Sequence, residues 1–423
     1  MIELHRIREQ KNELIERYKL RNFDACEYLN QIVNLDKLRR ETQFNLDNKL
    51  SELNSISKEI GNLFKQGNKE KALELKDKTL QLKESTKQLK EDLQNSESAL
   101  REILLHLPNV PNSEVPCGNC EEDNIIIKEH GKLPVFKVDA LAHWELAEKY
   151  NLIDFELGVK ITGAGFPVYL GKGAILQRAL INFFLDQAIS NGYQEVIPPL
   201  LVNEESGYGT GQLPDKEGQM YYVNEDNLYL IPTGEVPITN IFRDVTVNKN
   251  DFPIKKVGYT PCFRREAGSY GKDVRGLNRV HQFDKVEIVQ ITHPKDSYSA
   301  LTSMVDYVCS LLEKLELPYR VAKLCGGDLG FTSAITYDLE VFCAAQNKWL
   351  EVSSVSNFET FQSNRLKIKF KDDDAKSKFA HTLNGSALAL PRILATILEN
   401  NQSSQGINIP KVLHKYTTFD RIY

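Results

Sequence analysis

The sequence lacks several features that would mark a membrane or secreted protein. Its 423 residues contain no run of about 18 apolar residues, so we expect no membrane-spanning helix. The first six residues include Glu3 and Arg6 and no apolar core, so we expect no signal peptide. The seven cysteines are odd in number and scattered, which predicts unpaired thiols and a cytoplasmic location.

An excess of positive charge is also missing. The formal net charge is −5 at pH 7, which excludes a chain that is basic over its whole surface. A nucleic acid would therefore have to be bound by a local stripe of lysine and arginine.

Proline is absent between Glu27 and His106, and aromatic residues are few there. Apolar and small residues recur with the alternating 3,4 spacing of a coiled-coil seam. Residues 65–68 (Lys-Gln-Gly-Asn) interrupt the repeat with a turn signal. The pattern predicts two antiparallel helices, each about 50 Å long. From the pattern alone, a coiled coil used only for dimerisation remains an alternative.

Prolines at 108, 111 and 116 end this segment and indicate a domain boundary. We expect an N-terminal domain over 1–108, a linker over 109–120 and a second domain over 121–423. The linker contains Cys117-x-x-Cys120, the spacing of a zinc knuckle. A structural zinc ion needs four ligands and no second pair follows, so we expect no zinc site.

Two stretches rich in aromatic and β-branched residues, 259–266 and 280–289, predict strands around a long polar loop. Alternation places Arg264 beside Glu266, and Phe283 beside Lys285 and Glu287. An arginine can grip a phosphate with two parallel hydrogen bonds, and an aromatic ring can stack on a base. An exposed, salt-bridged hairpin is the alternative from alternation alone.

Further segments of 121–423 combine polar groups with strand or helix signals. A helix is predicted over 173–191, and a short strand at 228–231 leads into Thr233-Gly234-Glu235. Alternation puts Asp338 and Glu340 on one face. It also puts Glu351 beside Ser353 rather than Ser354.

These segments resemble the seryl-tRNA synthetase family, a member of class II of the aminoacyl-tRNA synthetases. Phe263-Arg264-x-Glu266-Ala267-Gly268-Ser269 with the residues up to Glu287 is similar to motif 2, and the segment from Gly192 to Leu201 to motif 1. The segment from Leu383 to Arg392 is similar to motif 3, although Ala387 and Pro391 stand where the family usually has glycine. Because proline is tolerated in a first helical turn, we expect a helix that starts near Leu390 or kinks there.

The resemblance implies an α+β fold, with an N-terminal antiparallel two-helix coiled coil and a class II catalytic domain. The catalytic domain would hold an antiparallel sheet flanked by helices. The family's reaction joins L-serine to ATP as seryl-adenylate and transfers the seryl group to the 3′ end of tRNA-Ser. It uses ATP and Mg²⁺ in a homodimer formed through motif 1. Whether tRNA-Sec is also a substrate stays open.

Site residues follow from the same resemblance. Arg264 and Arg392 would be catalytic, and Glu351 with Ser354 would hold the metal. The ATP-binding residues would be Arg264, Arg265, Glu266, Arg279, Val280, Phe283, Glu351, Val352, Ser353, Ser354 and Arg392. The serine-binding residues would be Thr233, Gly234, Glu235, Arg264, Glu287, Asn384 and Ser386. The tRNA-binding candidates on the arm are Arg39, Arg40, Lys49, Lys58, Lys76, Lys83, Lys87 and Lys90.

Two alternatives of other classes remain at this point. One is a related enzyme that loads an activated amino acid onto a carrier protein, which we would expect to lack the arm. The other is a coiled-coil scaffold with an inactive synthetase domain, against which the intact Arg264, Glu266, Glu287, Glu351 and Arg392 argue.

Overall fold

The computed structural model describes residues 1–136, 140–215, 218–266, 275–373 and 376–423. The chain forms two compact units: Met1–Lys19 with Phe23–Pro108, and Leu20–Asn22 with Asn109–Tyr423. Within the described ranges, no helix combines the length and the apolar character needed to cross a bilayer.

The first unit is helical. Its helices are α1 (Leu4–Glu9), α2 (Lys11–Lys19), α3 (Cys26–Lys65) and α4 (Lys69–His106). Helices α3 and α4 pack along each other around a turn at Gly67, whose φ of 78° suits a residue without a Cβ. Residues at the 3,4 spacing, such as Leu46, Ile56 and Leu82, are buried, which confirms the predicted seam. At 40 and 38 residues the helices are about 60 Å long, slightly longer than expected.

A buried acidic residue near the start of α3 was not anticipated from the heptad pattern. Asp36 is fully buried and accepts hydrogen bonds from Arg8 of α1 at 2.7 Å, Arg39 at 2.9 Å and Arg40 at 3.2 Å. Burial acts to raise the pKa of Asp36, but hydrogen bonds from Arg39 and Arg8 outweigh it and hold the pKa below its ordinary value. Arg39 and Arg40, predicted to contact tRNA, thus each commit part of a five-donor guanidinium to Asp36.

The second unit contains the remaining described helices and the strands. The helices are α5 (His143–Lys149), α6 (Phe155–Ile161), α7 (Gly171–Ser190), α8 (Glu204–Thr210), α9 (Glu235–Asn240), α10 (Ser297–Lys314), α11 (Phe361–Leu366) and α12 (Leu390–Asn400). The strands are β1 (Ile125–His130), β2 (Ile153–Asp154), β3 (Val168–Tyr169), β4 (Gln194–Glu195), β5 (Leu201–Asn203), β6 (Tyr222–Val223), β7 (Leu228–Leu230), β8 (Thr246–Val247), β9 (Ile254–Phe263), β10 (Gln282–Thr292), β11 (Tyr319–Lys323), β12 (Ile335–Cys343), β13 (Lys348–Asn357), β14 (Lys369–Lys371), β15 (Ser377–Phe379), β16 (His381–Ala389), β17 (Gln402–Ser403), β18 (Gly406–Asn408) and β19 (Arg421–Ile422).

An eight-stranded sheet organises this unit, in the order β1-β11-β12-β13-β16-β10-β9-β4. Its neighbouring strands are antiparallel except for the parallel pair β4 and β9. One face packs on α7, α10 and α12 through a continuous apolar core that includes Phe183, Leu312 and Leu394. Val286 and Ile288 of β10 point into this core, so the alternate residues of β10 face the other side of the sheet.

The predicted limits of the motif 2 strands were wrong at both ends. β9 ends at Phe263 and β10 begins at Gln282, so Arg264 and Glu266 lie just beyond the strand. Arg264 N–H still donates to His281 C=O at 2.8 Å, but Glu266 has a φ of 48° and turns the chain out of the sheet. Residues 267–274 of the intervening loop, which include Gly268 and Gly271, lie outside the described residues.

The expected helix near Leu390 is confirmed, because α12 starts there with Pro391 in its first turn. Within residues 109–120, the predicted linker, Cys117 and Cys120 are exposed free thiols. Over the described ranges, no group of three or more His, Cys, Asp or Glu side chains is arranged to hold a metal ion.

Asp36→Asn should lower the free energy of unfolding by about 1–3 kcal/mol at neutral pH, because three arginines lose a buried anion. Asp47→Asn, an exposed change on the same helix, is the matched control. Since the folded pKa of Asp36 is lowered, its contribution is present above the ordinary value of 3.8 and is lost as the pH falls through the folded pKa. Urea unfolding followed by far-ultraviolet circular dichroism measures both effects. Equal stability of the two variants at neutral pH would contradict the assignment.

Candidate active site

A cavity of about 660 Å³ lies on the sheet face opposite the apolar core. Its walls come from β10, β12, β13, β16, the residues just after β9 and the first turn of α12. Most of the predicted ATP- and serine-binding residues line it: Thr233, Glu235, Arg264, Glu266, Arg279, Val280, Phe283, Glu287, Glu351, Val352, Ser353, Ser354, Asn384, Ser386 and Arg392.

At the inner end of the cavity, Glu287 is the centre of a buried polar network. Its side chain is 1% exposed and its Oε2 lies 2.6 Å from Lys285 Nζ. Thr233 Oγ1 donates to Oε2 at 3.2 Å, and Asn384 Nδ2 donates to Oε1 at 3.0 Å. Lys285 Nζ also donates to Thr233 Oγ1 at 2.8 Å. A buried carboxylate needs this set of donors, so the network fixes the orientation of Glu287.

A second buried carboxylate, Glu235, stands close to Glu287 at the start of α9. Burial raises the pKa of Glu235 to about 7, and the negative charge of Glu287 adds to the increase. Gln362 Nε2 donates to Glu235 Oε1 at 2.5 Å, while Gln362 Oε1 accepts from Thr382 at 2.7 Å. Gln362 Nε2 also donates to the Thr210 carbonyl at 3.2 Å. Because a carbonyl can only accept, this contact fixes the amide nitrogen on that side, and Gln362 presents a donor to Glu235.

Neither Lys285 nor Gln362 was among the predicted site residues. Lys285 had a signal in the sequence, since it alternates with Phe283 and Glu287. Gln362 lies on α11, far along the chain from Glu235, and its local sequence gives no indication of this contact.

Gly234 does not line the cavity, but its position is tight. A Cβ on Gly234 would approach Thr260 Oγ1 to 3.1 Å and Glu287 Cβ to 3.2 Å. The absence of a side chain therefore lets the Thr233–Glu235 turn lie against the strand that carries Glu287.

Positive groups also line the cavity. The Arg264 guanidinium lies over the Phe283 ring, 5.2 Å from its centroid, and its Nε donates to Pro232 C=O at 3.2 Å. Arg279 Nε is 3.0 Å from Glu266 Oε2. Arg265, predicted to bind ATP, is exposed and is not among the residues that line the cavity.

The predicted pairing of Glu351 with Ser353 was wrong, and a β-bulge is the reason. Between β12 and β13, Glu340 pairs with Glu351, but Leu339 pairs with Ser353, which leaves Val352 as an extra residue. Asp338 then pairs with Ser354. Because paired residues share a face, the bulge puts Ser354 on the same face as Glu351. Ser353 is buried and donates to Ser386 C=O at 2.6 Å.

This face presents oxygen ligands beside acidic groups. Burial, and then the charge of Glu351, raise the pKa of Asp338. A carboxylate and a hydroxyl on one face fit Mg²⁺, which keeps waters and takes its other ligands from substrate phosphates. A cage of protein ligands is not required for such an ion.

Arg392 closes the cavity from the first turn of α12. Its Nη1 donates to the backbone carbonyl of Glu351 at 2.6 Å, and its Nε donates to the carbonyl of Asn278 at 3.1 Å. Motif 2 and β13 therefore both orient this guanidinium through backbone groups.

The predicted tRNA-binding residues all belong to the first unit. Those that are exposed on α3 and α4 are Arg40, Lys58, Lys76, Lys83, Lys87 and Lys90. Lys49 is half-buried and donates to Ser85 across the helix pair.

Family models match both parts of the chain. Residues 1–111 match the seryl-tRNA synthetase N-terminal domain. Residues 220–401 match the tRNA synthetase class II core domain (G, H, P, S and T).

Full-length relatives are similar to the whole chain. The serine–tRNA ligase of Salinibacter ruber is 48% identical, covering 100% of this chain and 99% of the relative. The crystal structure of seryl-tRNA synthetase from Pyrococcus horikoshii complexed with ATP is 34% identical, with a TM-score of 0.91 and coverage of 100% and 99%. That of a cytoplasmic serine–tRNA ligase from Naegleria fowleri in complex with AMP is 29% identical, with a TM-score of 0.86 and coverage of 100% and 98%. The chain belongs to the seryl-tRNA synthetase family.

Proposed function

We propose that this protein is an ATP-dependent serine–tRNA ligase that forms seryl-adenylate and transfers the seryl group to the 3′ end of tRNA-Ser. The observation that carries the proposal is that one cavity holds both a buried carboxylate, which can accept a hydrogen bond from a serine hydroxyl, and arginines that can contact phosphate groups. The similarity to serine–tRNA ligases over the whole chain supports it.

In the first step, a serine carboxylate oxygen forms a bond to the α-phosphorus of ATP. The bond from that phosphorus to the bridging oxygen breaks, and pyrophosphate leaves with the electron pair. The carboxylate is already ionised, so the protein mainly has to position the reactants and offset phosphate charge. Arg264 would contact the α-phosphate, and its bond to the Pro232 carbonyl already holds the side chain over the cavity.

Serine would be recognised at the inner end of the cavity. Glu235 and Thr233 would bind the ammonium group, and Glu287 would accept a hydrogen bond from the side-chain hydroxyl. Asn384 holds the second oxygen of Glu287, while Ser386 lines the same wall. Lys285 contacts Glu287 Oε2 from one side, so Glu287 would act as an acceptor toward the serine hydroxyl.

ATP would occupy the wider part of the cavity. Phe283 and Arg392 would contact the adenine ring, Glu266 its exocyclic edge, and Arg279 the γ-phosphate. Glu351 and Ser354 would hold Mg²⁺, which offsets phosphate charge when bound. Val280, Val352 and Ser353 complete the walls, and Arg265 is placed outside them.

In the second step, the terminal hydroxyl of the tRNA attacks the seryl carbonyl and AMP leaves. We propose 1–108 as the tRNA-binding domain, 109–120 as the linker and 121–423 as the catalytic domain. A homodimer through motif 1 and a cytoplasmic location complete the proposal.

Serine-dependent exchange of labelled pyrophosphate into ATP, followed by charging of tRNA-Ser, tests the function. Exchange with serine and charging of tRNA-Ser support it. Lack of exchange in the folded protein would indicate an inactive scaffold and overturn it. Exchange without charging would favour a carrier-loading enzyme, and charging of tRNA-Sec in the same assay would extend the substrate range.

The pKa of Glu235 predicts how serine binding depends on pH. A neutral Glu235 attracts an ammonium group poorly, so the KM for serine should fall as the pH rises through about 7. Between pH 6 and pH 8 the expected decrease is about tenfold, because the ionised fraction of a group with that pKa changes by that factor.

Glu235→Gln is the matched control, since it keeps the shape of the side chain and removes the titration. Its KM for serine should be high and nearly independent of pH. A wild-type KM that stays constant over this range would show that Glu235 does not contact the ammonium group.

The basic residues on α4 predict a separable effect on tRNA. Replacing Lys76, Lys83, Lys87 and Lys90 together by glutamine should lower kcat/KM for tRNA charging by at least about tenfold, because phosphate contacts are lost. Serine-dependent pyrophosphate exchange should stay within about twofold of wild type, and the salt dependence of charging should become weaker.

Lys71→Gln with Lys78→Gln, on the opposite flank of the α4 seam, removes two exposed positive charges and is the control for loss of positive charge elsewhere on the same helix. If the control lowers charging as much as the four-lysine variant, the proposed stripe is not the tRNA contact.

A further inference from the structure

A buried histidine outside the cavity contacts the segment of motif 2 that leads into β10. His143 is the first residue of α5, is fully buried and does not line the cavity. Its backbone N–H and its Nδ1 both lie within hydrogen-bond distance of Glu399 Oε1, at 2.9 and 2.8 Å. Its Nε2 lies 2.8 Å from the backbone N of Leu277.

These contacts define which ring nitrogen carries the proton. The Leu277 N–H can only donate, so Nε2 accepts and has no proton, and Nδ1–H donates to Glu399. Burial acts to raise the pKa of Glu399, but hydrogen bonds from His143 outweigh it and the pKa lies below its ordinary value. Glu399 is therefore an ionised, buried acceptor that orients the ring.

The chain next to Leu277 is shaped to fit against this ring. Gly276 has a φ of 67°, and a Cβ there would overlap the His143 ring and approach Trp144 Cε3 to 2.9 Å. Arg275, one residue earlier, lies over the Trp144 ring at 4.8 Å. The start of α5 thus holds three consecutive residues of motif 2.

A second set of hydrogen bonds joins Glu399 to the same segment of motif 2. Gln346 Nε2 donates to Glu399 Oε1 at 2.9 Å, and Gln346 Oε1 accepts from Asn278 Nδ2 at 2.7 Å. The carbonyl of Asn278 accepts from Arg392 Nε at 3.1 Å. Leu277 and Asn278 both line the cavity, as do Arg279 and Val280 that follow them.

We propose that His143 is a positioning residue for the nucleotide site: it holds residues 275–280 of motif 2, and through Asn278 the guanidinium of Arg392, in the arrangement that binds ATP. The inference rests on the proposed function, because it assigns the nucleotide to this cavity. His143 contacts neither substrate and acts through the Leu277 N–H.

Two substitutions separate the two ring nitrogens. The amide of Asn reaches the position of Nδ1, so His143→Asn keeps a donor for Glu399 and removes the acceptor for Leu277. The amide of Gln reaches the position of Nε2, so His143→Gln keeps an acceptor for Leu277. Glu145→Ala is the control for the stability of α5, because Glu145 Oε2 accepts from the Ala142 N–H at the start of this helix.

The measurement is serine-dependent pyrophosphate exchange with ATP and serine varied in turn, together with hydrogen exchange of residues 275–280. His143→Asn should raise the KM for ATP by about tenfold, with the KM for serine within about twofold of wild type. His143→Gln should recover most of that loss. Both variants are compared at temperatures equally far below their own melting temperatures. Hydrogen exchange of the backbone amides of 275–280 should then be faster in His143→Asn than in Glu145→Ala.

The opposite results would overturn the proposal. They are an unchanged KM for ATP in a folded His143→Asn protein, or an equal rise in Glu145→Ala, which would leave His143 a purely structural role. Absence of serine-dependent pyrophosphate exchange in the wild-type protein would instead overturn the proposed function. Should His143→Asn fail to fold, His143→Ala, which also removes the acceptor for Leu277, replaces it. A KM for ATP in His143→Ala that exceeds that of Glu145→Ala supports the proposal, and equal values overturn it.

Discussion

The pairing of the buried Glu287 carboxylate with Lys285 is the interaction on which the catalytic unit depends. A carboxylate group with 1% exposure is destabilising unless its oxygens are matched by donors. Lys285 of β10, Thr233 of the turn before α9, and Asn384 of β16 supply these donors. The same requirement therefore brings three separate segments of the chain together at one end of the cavity.

The geometry of the sheet explains how one set of strands serves both the core and the site. On β10, Val286 and Ile288 pack in the apolar core while Phe283, Lys285 and Glu287 face the cavity. Alternation alone produces this separation in a regular strand. On β13 an extra residue is inserted, and the bulge at Val352 turns Ser354 to the face of Glu351. The cavity face of β10 follows regular alternation along its pairing with β9, although its pairing with β16 shifts register between Lys285 and Glu287. The proposed metal ligands depend on the bulge in β13.

Features with a local period could be predicted from the sequence. The heptad seam identified α3 and α4, and the alternation of Phe283, Lys285 and Glu287 identified the cavity face of β10. Features that depend on long-range pairing could not. The bulge at Val352 is a property of the register between two strands. The hydrogen bonds between Gln362 and Glu235 and between His143 and Leu277 join residues more than 120 positions apart. Asp36 occupies a position next to the seam that the heptad pattern treats as surface. Its burial follows from the arginine of α1 that packs on it.

The central claim is that Glu287 reads the serine hydroxyl, and discrimination against alanine tests it most directly. The quantity is the ratio of kcat/KM for serine to that for alanine in pyrophosphate exchange, compared between wild type and Glu287→Gln. Glu195→Gln, an exposed change on β4, controls for the loss of one carboxylate. The ratio should fall by roughly 100-fold in Glu287→Gln. In the wild type, alanine has no hydroxyl to donate to the Glu287 carboxylate, and an amide in its place makes that missing hydrogen bond less costly. An unchanged ratio, in a variant that still activates serine, would contradict it.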